Sequence, residues 1–214
     1  MRPAMALKEE IYNDVISGNA EAVTALTSQA IAEGLSADEL LNQALIPAMT
    51  EVGGRFERHE FYVPEMLIAA RAMKHGVEVL RPLLVEAGTK PVGTVVMGTV
   101  AGDLHDIGKN LVVMMLEGTG FQVVDLGVDV SADAFVQAVR EHSPQILGMS
   151  ALLTTTMLAM RATIEALNES ELRDQVLVMV GGAPLTQSFA DEIGADLYAP
   201  DASSAARKAK EAVL

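Results

Sequence analysis

The sequence predicts an α/β protein in two parts: an N-terminal four-helix bundle, then a doubly wound five-stranded parallel sheet. Three observations carry this. From Leu7 to Leu84 apolar residues recur at helical spacing with no alternating stretch. The segment Glu86-Ala87-Gly88-Thr89-Lys90-Pro91 is short, polar and punctuated by Gly and Pro. Beyond it, short apolar runs alternate with helical patterns, which calls for a parallel sheet covered on both faces and joined by right-handed crossovers. The expected domains are 1–88 and 89–214.

In the first domain, helices are separated near Gly18, Gly34 and the stretch 57–63. Ser36 and Glu39 have the spacing of a capping box, so a helix starts there and runs toward Thr50. Gly53-Gly54 weakens its continuation, and Pro64 suits the first turn of the next helix, where a missing N–H does no harm. In the second domain, strands are expected at 94–100, 121–126, 145–150, 175–180 and 196–199. Helices start near Ile107, Ser131, Thr155, Thr186 and Ser203.

Composition narrows the function. The chain of 214 residues is half apolar, enough for a well-buried core. It contains no cysteine, which removes disulfides, thiolate metal sites and cysteine nucleophiles; any metal must use other ligands or arrive inside a cofactor. A net charge of −14 opposes a nucleic-acid partner. Without an apolar run of membrane-spanning length or an apolar leader, a soluble, cytoplasmic protein with no membrane partner is expected.

The most informative stretch is Val100-Ala101-Gly102-Asp103-Leu104-His105-Asp106-Ile107-Gly108-Lys109-Asn110, between the first predicted strand and its helix. Turns at the carboxyl ends of strands are where open α/β sheets bind ligands. The stretch is no phosphate loop, since five residues separate Gly102 from Gly108 and Asn110 follows Lys109. It also lacks dinucleotide-binding glycine spacing, and His59-Glu60 lacks the second His of a zinc-protease helix. Asp103, two residues before His105, can accept a hydrogen bond from one ring nitrogen and leave the other for a metal. Gly108 leaves room for a bulky group. Hydroxyls follow the third strand, from Ser150 through Thr154, Thr155 and Thr156; Thr154 or Thr155 can also cap a helix. Gly181-Gly182 after the fourth strand suits either a tight turn or a ligand lying against the backbone.

Taken together, Asp103-x-His105-x-x-Gly108, Ser150-x-Leu152 and Gly181-Gly182 resemble the three-part signature of the cobalamin-binding module, in order and at the expected strand ends. A helical cap before such a Rossmann-like, flavodoxin-like module resembles cobalamin-dependent methionine synthase and the small corrinoid proteins of methyltransferase systems. The resemblance implies a cofactor, cobalamin or a related corrinoid, with methylcobalamin as its methyl-loaded form. His105 matches the lower axial cobalt ligand that replaces the cofactor's own base. Asp103 matches its hydrogen-bond partner, and Thr156 matches a relay hydroxyl that is Ser in the family pattern. Gly108, Ser150, Leu152, Gly181 and Gly182 match the slot for the displaced nucleotide tail, and Asp106, Ile107 and Thr154 join the cofactor-binding set. Phe56, Val63 and Met66 match cap positions over the methyl-bearing face, where the pattern has Leu and Val at the last two; their other reading is bundle core.

The implied function is a methyl carrier, without complete activity alone, loaded by a substrate-specific methyltransferase and unloaded by an acceptor methyltransferase. A reductive activator protein is the third implied partner, and a hinge near 86–91 would let the cap move. Two alternatives use the same module. A cobalamin-responsive regulator needs an output domain, whereas residues 1–90 are acidic and show no basic recognition helix. The small subunit of an adenosylcobalamin-dependent mutase needs no methyl-face cap.

Overall fold

Apolar spacing in the first part of the chain becomes a set of packed helical rods in the computed structural model, which describes residues 4–214. The molecule divides into two compact units, the first ending at Lys90 and the second spanning Pro91–Leu214. In the first, α1 (Ala4–Ser17) buries Leu7, Ile11 and Val15, and α2 (Ala20–Ala32) buries Val23 and Ala30. The third rod is built from α3 (Ala37–Leu40), a π-helical turn (Leu41–Leu45) and α4 (Ile46–Glu57); α5 (Val63–Glu86) is the fourth. The expected separators hold.

Three local details differ from expectation. At Ser36 the hydroxyl accepts the Glu39 N–H at 3.1 Å, but the Glu39 carboxylate turns to Lys8 Nζ at 2.6 Å, since a full charge is a stronger partner than a backbone N–H. The π-helical turn, closed by the Ile46 N–H on the Leu41 carbonyl, widens the helix just before Pro47. That widening relieves the clash a proline ring makes with the preceding turn. The helix also runs through Gly53-Gly54 to Glu57. Val52 and Gly53 are buried there, and packing outweighs a propensity cost of about 1 kcal/mol per glycine. Where α5 crosses its neighbours, a Cβ on Gly76 would lie 2.9 Å from Leu45 and 3.0 Å from Val23, so glycine lets the backbones approach.

The second unit alternates strand and helix throughout. Its strands are β1 (Thr94–Thr99), β2 (Gln122–Asp125), β3 (Ile146–Ser150), β4 (Leu177–Gly181) and β5 (Leu197–Ala199). They are all parallel, in the order β2-β1-β3-β4-β5. The intervening helices are α6 (Ile107–Gly118), α7 (Ala132–His142), α8 (Met157–Glu169), α9 (Gln187–Ile193) and α10 (Ala202–Val213). Ser131 and Thr186 cap α7 and α9, as their sequence positions predicted. Helix α8 starts two residues later than expected, behind a turn at 154–156, and a 3₁₀ turn (Arg173–Gln175) delays β4. Strand residues Val96, Leu147 and Val178 pack with Phe135, Met160 and Ile164 in the core. No helix among the described residues is long and apolar enough to cross a membrane.

Strand register aligns the loops at one end of the sheet. Thr99 pairs with Ser150, and Ser150 with Gly181, so β1, β3 and β4 end level and release their loops on one rim. The chain winds from β1 to β2 on one side and returns to β3 on the other. The crevice between the β1 and β3 loops is therefore the topological switch point, where such sheets bind ligands.

Candidate functional site

Leaving β1, the chain turns at Gly102 (φ +81°) and buries the Asp103 carboxylate completely. Buried charge needs partners. Oδ1 accepts the His105 backbone N–H at 3.0 Å and lies 2.7 Å from His105 Nδ1. Oδ2 accepts the Leu152 N–H at 2.7 Å and the Thr156 hydroxyl at 2.7 Å; that hydroxyl also lies 2.9 Å from the Leu153 carbonyl. The Thr99 hydroxyl holds the His105 carbonyl at 3.0 Å. One carboxylate thus ties the loop after β1 to the loop after β3.

Burial by itself pushes the Asp103 carboxyl upward, yet donors from Leu152, Thr156 and His105 together outweigh it and hold the group well below the usual carboxylate range. Asp103 is therefore ionised and only accepts, so the proton between it and His105 belongs to Nδ1. In the neutral ring the lone pair is then on Nε2. The His105 side chain is about half exposed, at 53%, with Nδ1 turned to the buried carboxylate. The local arrangement orients an imidazole and strengthens it as a donor to a metal.

Around it the surface is apolar: Leu104 and Ile107 are more than 70% exposed, and Leu152, Leu153 and Leu158 are exposed as well. Asp106 is the residue before α6 and accepts from Asn110 Nδ2 at 3.1 Å. A Cβ on Gly108 would meet no atom within 4 Å, so nothing in the fold itself asks for glycine there. Gly181 and Gly182 differ from it. A Cβ on Gly181 would lie 2.9 Å from the Ala199 carbonyl oxygen, and on Gly182 (φ +139°) only 1.9 Å from that of Ala151. Of the hydroxyls after β3, Thr156 turns inward while Thr154 and Thr155 stay exposed. Neither caps α8; the residue before that helix is Thr156, whose hydroxyl goes to Asp103 instead.

In the helical unit, Phe56 lies half-buried near the end of α4. Val63 opens α5 and is 36% exposed, and Met66, one turn on, is buried.

Two features escaped the sequence. Lys109 is 2% exposed, with Nζ 2.5 Å from Asp125 Oδ2 and 2.8 Å from Asn110 Oδ1. A lysine in the first turn of a helix opposes the helix dipole, and that was the available signal of a specific partner. Asp129 takes a positive φ of 54° and accepts the Gly102 N–H at 2.7 Å, a contact nothing in the sequence foreshadows.

No group of three or more His, Cys, Asp or Glu among the described residues could hold a metal ion. A single half-exposed imidazole fits a metal brought with most of its own ligands. The open space at Gly108 and the apolar rim fit a large, flat group against that imidazole. These are the features of a site for a metal-bearing macrocycle.

A family model described as "B12 binding domain" matches residues 93–207, and a second of the same description matches 7–81. The chain is 44% identical to trimethylamine corrinoid protein 2 of Methanosarcina mazei, over 98% of this chain and 99% of that one. It is 45% identical to the dimethylamine corrinoid protein of Methanosarcina barkeri, over 96% of each. Among solved structures, the methanol:cobalamin methyltransferase complex MtaBC from M. barkeri superposes with a TM-score of 0.87 at 30% identity, covering 99% of this chain and 81% of that one. The M. barkeri monomethylamine corrinoid protein superposes with a TM-score of 0.55 at 36% identity, covering 98% and 99%. With two B12-binding matches and full-length relatives of this similarity, the chain belongs to the B12-binding corrinoid proteins of methyltransferase systems.

Proposed function

We propose that this protein is the methyl carrier of a multi-component methyltransferase system, with His105 as the lower axial ligand of a bound corrinoid. The observation that carries the reading is the 2.7 Å contact between His105 Nδ1 and a carboxylate held ionised, which leaves Nε2 as a donor. When bound, the corrinoid supplies a cobalt atom that takes up a methyl group and gives it away. Asp103 orients the imidazole and, with Thr156, modulates how strongly it donates. Gly108, Asp106, Ile107, Ser150, Leu152, Thr154, Gly181 and Gly182 line the path of the cofactor and its displaced tail. Phe56, Val63 and Met66 serve as an apolar cover that keeps water from the methyl-bearing face.

The cofactor-binding α/β domain takes up 89–214 and the cap 1–88. A carrier of this kind has no complete activity alone. Its partners are a substrate-specific methyltransferase, an acceptor methyltransferase and a reductive activator protein, met in the cytoplasm. Comparable similarity to relatives named for trimethylamine and for dimethylamine suits a carrier whose donor is chosen in the partner's pocket.

The test is the electron paramagnetic resonance spectrum of the protein reconstituted with cobalamin in its Co(II) form, with and without nitrogen-15 in the histidine imidazoles. A label-dependent axial nitrogen splitting, lost in His105→Ala, is expected. Corrinoid binding with a splitting indifferent to the label would refute the role of His105.

A further inference from the structure

The loop between β2 and α7 is hydrogen-bonded both to the end of β1 and to the His105 loop that follows it, although no part of the three-part signature lies in it. Asp129 is the centre of this contact. Its Oδ1 accepts the Gly102 N–H at 2.7 Å, and its own N–H is donated to the Asp103 carbonyl at 3.0 Å. Val130 N–H bonds the Thr99 carbonyl at 2.9 Å, and Thr99 N–H bonds that of Gly127 at 2.9 Å. Asp129 holds a left-handed backbone, φ 54°, where Asp and Asn are the least disfavoured residues after glycine. Its side chain is thereby turned onto Gly102, itself at φ +81°. Non-glycine residues in such conformations persist where surrounding contacts hold them, and they cluster at functional sites.

We infer that Asp129 is a positioning residue for the axial imidazole. By clipping the backbone at Gly102 and Asp103 it sets where the Asp103 carboxylate stands between His105 and the Leu152 N–H, and so where the imidazole points. Asp129 makes no hydrogen bond to the His105 ring; it acts through Asp103. The inference rests on His105 being the axial ligand.

Three variants separate its hydrogen bond from its backbone conformation. Asp129→Asn keeps an acceptor oxygen and tolerates positive φ; Asp129→Gly keeps the backbone and loses the acceptor; Asp129→Ala loses the acceptor and adds strain. Two readouts are needed. In the Co(II) form with cobalamin, the ratio of imidazole-coordinated to own-base-coordinated cobalt should fall about five- to tenfold in the Gly variant, the worth of one hydrogen bond, and stay near wild type in the Asn variant. In the cofactor-free protein, exchange of the Leu152 amide, donated to Asp103, should quicken by a similar factor in the Gly variant alone of those two. The Ala variant should lose at least as much as the Gly variant on both. Leu152 exchange and coordination ratio both unchanged in Asp129→Gly would overturn the inference, as would an Asn variant that behaves like the Gly variant. A wild-type protein without imidazole coordination refutes the ligand role of His105, and the exchange readout still decides the role of Asp129.

Discussion

Replacing Thr156 by Val removes the hydroxyl from the Asp103 carboxylate while nearly keeping the shape. Thr156 is 7% exposed and Asp103 wholly buried, so water cannot easily take the place of the lost donor. A hydrogen bond to a charged group is worth about 1.5–3 kcal/mol, and the α/β unit should lose about 2 kcal/mol at neutral pH. Thr156→Ser keeps the hydroxyl and loses one methyl, costing about 1 kcal/mol. Urea unfolding of the cofactor-free chain, followed through the amide exchange of β1 and β3, reads this unit apart from the helical one. The pH dependence supplies a second check. Burial pushes the Asp103 carboxyl up and the donors more than reverse it, so its folded pKa lies below the unfolded value. Stabilisation from such a group is complete above the unfolded pKa, about 3.9, and is lost as pH falls through the folded value. Without the Thr156 donor the folded pKa rises toward the ordinary one. The gap between wild type and Thr156→Val should therefore be full at pH 7 and shrink in acid below about pH 4. A gap under about 0.5 kcal/mol at pH 7, or one that does not narrow in acid, would refute the carboxylate-centred account.

The two kinds of glycine should respond in opposite ways. Gly182→Ala forces a Cβ to 1.9 Å from the Ala151 carbonyl oxygen at φ +139°, and should cost about 3 kcal/mol or more, seen as a large fall in melting temperature or loss of soluble protein. Gly108→Ala enters open space in a helix, so cofactor-free stability should hold or rise by up to about 1 kcal/mol. Its affinity for cobalamin, titrated spectrophotometrically, should fall at least about tenfold, and an unchanged affinity would show that the open space is not used. Lys109→Met leaves Asp125 without its cation, but that carboxylate is 35% exposed and can be hydrated, so the loss should be about 1–3 kcal/mol, below that for a fully buried pair. A gain in melting temperature would mean that the pair is a net cost to folding.

Much of the architecture was legible from local pattern. Helical and strand periodicities, the punctuation near 86–91 and the caps Ser131 and Thr186 depend on what a residue does for neighbours a few positions away, so they survive in the linear text. The Asp103–His105 contact, two residues apart, was legible for the same reason. Other features were decided only in three dimensions. Packing carried α4 through Gly53-Gly54, and a π-helical turn formed just before Pro47. Parallel register brought Ser150 level with Thr99, and with it Leu152 and Thr156, 49 and 53 residues away, onto the Asp103 carboxylate. Lys109 found Asp125, and Asp129 found Gly102, across the same sheet end. Sequence periodicity encodes the face a residue presents, not the partner that arrives there, because a hydrogen bond needs positions good to a few tenths of an ångström and register between distant strands sets those positions.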